Sequence, residues 1–180
     1  MMFRSHVWVA AAGLAVYSAC TGDRLEWMAW GGSAIGALMP DIDHASSLIS
    51  KTVNRAWAPG VRHRGGAHTL LAWAILTVVA VVAWGACAPV LAASWGYLSH
   101  LLIDAVTEGK VPLLAPFYRK RVGLSLVRTG SIPEYLVRYG ALAIVIFYDS
   151  RSFSPSVTPS TAVAIALIGV RLVRFLPKVL

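Results

Sequence analysis

A chain of 180 residues suits one domain, and 57% hydrophobic against 13% charged residues, at a mean hydropathy of +0.66, is far more apolar than the roughly 25% charged content of soluble domains. That balance excludes an ordinary soluble fold and points to a single all-α membrane domain over 1–180. The formal net charge of +8 would suit nucleic acid, but the basic residues separate long apolar runs rather than lining amphipathic stripes. They therefore read as topology determinants and contacts to anionic membrane lipids, with no specific nucleic-acid partner.

In chain order the apolar runs are Val7–Cys20, Trp27–Met39, Thr69–Ala86, Ala88–Val106, Leu136–Tyr148 and Val157–Val170. They predict a polytopic membrane helical bundle of about six membrane helices. Four is the alternative, because several runs fall short of the ~20 residues that cross a hydrocarbon core. The last two runs form a C-terminal helix pair within 134–180. The first has the length of a signal-peptide core, and cleavage near Tyr17-Ser18-Ala19-Cys20 would discard His6. A second apolar run follows almost at once and no secreted-type domain follows it, so retention is the favoured reading. Cys20 and Cys87 lie in or beside apolar segments without a CxxC pattern, and buried, inert thiols are expected of them.

Charge assigns an orientation. The loop from Asp41 to Gly66 carries Lys51, Arg55, Arg62 and Arg64, the loop from Thr107 to Glu134 carries Lys110, Arg119, Lys120, Arg121 and Arg128, and the tail carries Arg171, Arg174 and Lys178. The intervening turns hold at most one Arg each, so the basic loops and both termini face the cytoplasm by the positive-inside rule. All five histidines then come to one membrane face: His6 opens the first helix, His44 follows the second, His63 and His68 precede the third, and His100 ends the fourth.

Carboxylates accompany them. In Gly96–Glu108 the side chains of His100, Asp104 and Glu108 recur at four-residue spacing and share one helical face. Pro40-Asp41-Ile42-Asp43-His44 and His63-Arg64-Gly65-Gly66-Ala67-His68 flank the basic loop. Each motif alone has a structural explanation: a helix-end hydrogen bond, an Asp-rich cap after a proline, a flexible basic loop. Their meeting at one depth is what argues for function, since ionisable groups in membrane segments are costly unless used. His6, Asp41, Asp43, His68, His100 and Asp104 are the expected metal ligands, and His44 and His63 the expected catalytic proton carriers or extra ligands. This nitrogen and oxygen donor set suits a divalent metal, zinc first with manganese or iron as alternatives, as one or more ions. Copper(I) prefers thiolates.

These ordered motifs, with Thr107 and Pro112-Leu113-Leu114-Ala115-Pro116-Phe117, resemble the YdjM-like family of membrane-bound, predicted metal-dependent hydrolases, over about residues 1–125. A more distant likeness is to zinc-dependent phospholipase C and P1-type nucleases, which also use HxxxD pairs such as His100 and Asp104. The resemblance implies a multi-pass protein of the bacterial inner membrane with a metal site made by these residues. Glu108-Gly109-Lys110 departs from the family pattern, which leaves Glu108 in doubt as a ligand. The function expected is hydrolysis of a phosphoester, possibly a phospholipid, at the cytoplasmic face by metal-activated water. Arg62, Arg64, Arg119, Lys120 and Arg121 would bind the anionic phosphate-containing substrate. The rivals are a metal or proton carrier, disfavoured because the distal halves of these helices lack polar residues, and a structural membrane protein.

Overall fold

The computed structural model describes residues 3–43, 66–118 and 120–151. Five α-helices carry it: α1 (Phe3–Thr21), α2 (Trp27–Leu38), α3 (Leu70–Trp84), α4 (Ala88–Val106) and α5 (Ile132–Arg151). Short 3-10 turns at Met39–Asp43 and Gly66–His68 lead out of α2 and into α3. The first five apolar runs each become a helix, and α4 coincides with its run at both ends. The sixth, Val157–Val170, lies outside the described residues. Among the described residues there is no named strand, so the all-α expectation holds, and none of the helices is both long and apolar enough to cross a membrane by itself.

Local chemistry sets the helix ends. Thr69 caps α3 by accepting a hydrogen bond from the Ala72 N–H (3.0 Å) while its hydroxyl donates to the Gly66 carbonyl (2.9 Å). Gly85, at φ +80°, stops α3 in a conformation that favours glycine. Pro89 then starts α4 in its first turn, where no N–H is needed. Antiparallel α3 and α4 result.

Helix α4 is the centre of the bundle and meets α1, α2 and α3. Its contact with α2 is backbone to backbone. A β-carbon added to Gly36 would collide with the Ala93 carbonyl, one at Gly32 with the Pro89 carbonyl, and one at Gly96 with the Ser33 carbonyl. Small residues at this spacing let two helices approach to the limit of their main chains. Trp95 fixes α4 against α1: its ring fills the space beside Gly13 and its indole N–H donates to the Ala10 carbonyl (2.9 Å). Helix α5 packs along α1. The segment after α4 folds back through isolated bridges pairing Thr107 with Val127 and Val111 with Val122.

Two expectations fail here. Cys20 and Cys87 are exposed free thiols rather than buried ones, because both fall at helix ends, where the apolar runs stop packing. Glu108 is not on the helix with His100 and Asp104. The chain leaves helical geometry at Thr107 (ψ 159°), and Glu108 sits exposed in the following turn. Pairing of Thr107 with Val127 competes successfully with another helical turn.

Candidate metal centre

Four chain segments bring their polar side chains to one end of the bundle. His6 comes from the first turns of α1, Asp41 from the 3-10 turn after α2, and His68 from the 3-10 turn before α3. His100 and Asp104 stand one turn apart near the end of α4. His6, His68 and His100 are fully buried and Asp104 nearly so, whereas the Asp41 side chain is 23% exposed and is the wet edge of the cluster.

The contacts are short and shared. His68 Nε2 lies 3.7 Å from Asp41 Oδ1 and 3.8 Å from Asp104 Oδ2. His100 Nε2 lies 3.7 Å from each of the same two oxygens. His6 Nε2 reaches the other oxygen of Asp104, Oδ1, at 3.5 Å. The His6 and His100 rings stack at 3.8 Å and 14°, and His68 meets His100 edge-on at 5.4 Å. His6, His100 and Asp104 form one group within reach of a common cation, and Asp41, His68 and His100 another.

Surrounding groups hold these side chains in place. The Ala37 carbonyl accepts a 2.7 Å hydrogen bond from His100 Nδ1, which fixes the tautomer and leaves Nε2 facing the carboxylates as a bare lone pair. That carbonyl is near enough because Gly36 and Gly96 close the α2–α4 gap. Tyr97 donates its hydroxyl to the Ala67 carbonyl (2.5 Å), pinning the turn that carries His68. The Thr107 hydroxyl and N–H both bond the Asp104 carbonyl, at 2.8 and 3.1 Å. Burial works to raise the Asp41 pKa, but the neighbouring imidazoles of His68, His100 and His6 outweigh it and hold the carboxyl at about 2. Asp41 is therefore ionised at any physiological pH.

Orphaned atoms test whether this set suits a cation. The nitrogens His68 Nε2 and His100 Nε2, both directed at carboxylates, make no hydrogen bond among the described residues, nor do His68 Nδ1 and His6 Nδ1. An unsatisfied buried polar atom costs about 1–3 kcal/mol, and a divalent ion between imidazoles and carboxylates would satisfy the first two at once. The residues present fit a hard-to-borderline cation such as zinc.

Of the residues singled out in the sequence, His6, Asp41, His68, His100 and Asp104 are brought together. Asp43 has its backbone in the 3-10 turn, but its side chain lies outside the described residues, as do His44, His63, Arg62, Arg64 and Arg119. Lys120 and Arg121 are exposed on the loop between α4 and α5. One buried carboxylate escaped sequence reasoning. Glu134 is 1% exposed, accepting from the Ser5 hydroxyl (2.9 Å) and the Gly130 N–H (2.7 Å). Its signal was the Ser131-x-x-Glu134 spacing at the head of α5, a capping-box pattern.

The fold and this cluster define an apolar helical protein with a buried His and Asp centre. The chain belongs to the YdjM inner membrane protein family, whose model matches residues 1–176, well beyond the 1–125 that carry the motifs. It is similar to inner membrane protein YdjM of Escherichia coli (strain K12) and of Shigella flexneri, 35% identical to each over 119 residues. The match covers 61% of this chain and 59% of each relative, so it spans less than two thirds of those proteins. No solved structure matches.

Proposed function

We propose that the protein is a multi-pass enzyme of the bacterial inner membrane that hydrolyses a phosphoester at the cytoplasmic face, using a divalent cation held by the buried His and Asp cluster. The observation that carries this reading is a pair of nitrogens, His68 Nε2 and His100 Nε2, that have no hydrogen-bond partner among the described residues and are each set 3.7–3.8 Å from oxygens of two different aspartates. A structural polar cluster would satisfy those nitrogens within the protein. A cation in such a site supplies Lewis acidity and a nucleophile near neutral pH. Asp41, as the partly exposed member, is where substrate and water would enter, and the exposed Lys120 and Arg121 are candidates to hold an anionic phosphate group.

The membrane placement rests on α3 together with the family's description. That helix has no charged residue and buries none of its side chains, and Ile75, Val78, Val79 and Val82 are all more than half exposed. An apolar helix whose outer face is uncovered belongs against lipid. Its 15 residues reach about 22 Å, short of the ~30 Å hydrocarbon core, so neighbouring residues would have to complete the crossing.

The test is metal analysis of the purified full chain, then turnover of a chromogenic phosphodiester by wild type and Asp104→Asn. The reading expects bound metal and turnover in the wild type, both lost in the variant. A metal-free wild type, or metal binding with no hydrolysis of any phosphoester, would overturn it.

A further inference from the structure

The five side chains of the cluster are not equivalent. The four nitrogen-to-oxygen separations among His68 Nε2, His100 Nε2, Asp41 Oδ1 and Asp104 Oδ2 are 3.7, 3.8, 3.7 and 3.7 Å. Donors on a tetrahedral zinc are roughly 3.3–3.6 Å apart, given ligand distances of about 2.0–2.2 Å. Gathering all four on one ion would close each of these nitrogen-to-oxygen edges by about 0.1–0.5 Å. His6 differs: it addresses the opposite oxygen of Asp104, Oδ1, at 3.5 Å.

We infer that His68, His100, Asp41 and Asp104 hold a single divalent cation, and that His6 is a positioning residue which donates from Nε2 to Asp104 Oδ1 and does not ligate. This rests on the metal-site reading above. A ligating carboxylate is ordinarily held by an outer hydrogen bond that orients it and tunes its charge, and His6 supplies that bond. The rest of the fold supports the assignment. The His6 ring is clamped flat against His100 at 3.8 Å. The adjacent Ser5 hydroxyl is tied to buried Glu134, locking the first turns of α1 to the head of α5. His6 is thus placed by contacts that do not need the ion.

Cobalt(II) replaces zinc in tetrahedral nitrogen and oxygen sites and reports its own coordination through visible absorption, so the full-length protein in detergent is titrated with cobalt(II). Wild type is expected to bind one equivalent with tetrahedral bands. His6→Gln, which keeps an N–H donor, and His6→Ala should show the same bands at one equivalent. Affinity should fall about 10–100-fold in the alanine variant and recover in the glutamine variant. His68→Gln should lose the bands. Two equivalents in wild type falling to one in His6→Ala, or a changed spectrum in a folded His6→Gln, would overturn the assignment while leaving the metal site standing. A wild type that takes up no cobalt would instead overturn the metal reading itself.

Discussion

Helices α2 and α3 are both strongly apolar and both pack on α4, yet they use that apolarity in opposite ways. Helix α2 buries seven of its 12 residues, five of them alanine, serine or glycine, and presses its backbone onto α4 through Gly32, Gly36 and the facing Gly96. Helix α3 buries none of its 15. It touches α4 through polar links, with the Trp73 indole donating to the Ser94 carbonyl and hydroxyl at 3.0 Å and Thr77 paired with Ser94 at 2.8 Å. Side-chain volume explains the contrast: glycine, alanine and serine bring main chains close, while leucine, valine and isoleucine cannot enter such a seam and face outward. Close approach is what the site needs, because Ala37 and Asp41 both reach His100 from the end of α2.

The largest effect should come from wedging that seam. Gly36→Leu should cost more than about 3 kcal/mol, since the collision is with backbone that has nowhere to go. Size-exclusion profile and thermal melting in detergent would reveal it, and a normally folded Gly36→Leu would break the comparison. Next comes Asp104→Asn, which removes a charge shared by three histidines. Metal affinity should fall by more than the about 10–100-fold that an outer partner costs, read by titration. Glu134→Ala should destabilise by about 1–3 kcal/mol, because the buried Ser5 hydroxyl and the Gly130 N–H lose their acceptor; melting temperature measures it.

Smaller is the effect of pH through Asp41. Its folded pKa of about 2 lies below the ordinary aspartate value of 3.8, so the folded state prefers the ionised carboxylate. That contribution is present above about pH 4 and lost as pH falls toward 2. Asp41→Asn should flatten the decline of melting temperature over that window; an unchanged slope would show that Asp41 does not carry it. The smallest effect is expected on the outward face of α3, where Val79→Ala should stay within about 0.5 kcal/mol. A loss as large as that of Glu134→Ala would mean that this face is covered by protein rather than by lipid or detergent.

Much of this was readable from residue order. Hydropathy located the five described helices, because a run of apolar residues bounded by Pro, Gly or Thr has few other solutions. Four-residue spacing paired His100 with Asp104, and alternation of helix direction gathered His6, His68 and His100 at one end. Glu108 was misjudged because helix termination depends on what the next segment pairs with, here Thr107 with Val127, some 20 residues on. The two cysteines were misjudged because burial depends on neighbours, not on a residue's own apolarity. Glu134 passed unnoticed because its partner, Ser5, is 129 residues away in the chain.

What the amino-acid order determined by itself was local: which stretches are helical, where they stop, and which donor types sit at which ends, all consequences of periodicity, capping and charge over a few residues. Only the tertiary structure decided that α2 and α4 meet at glycine distance, that the Ala37 carbonyl orients His100, and that His6 faces a different oxygen of Asp104 from the one shared by His68 and His100. Those facts depend on tenths of an ångström between segments far apart in sequence, and contact at that scale is set by how whole helices pack.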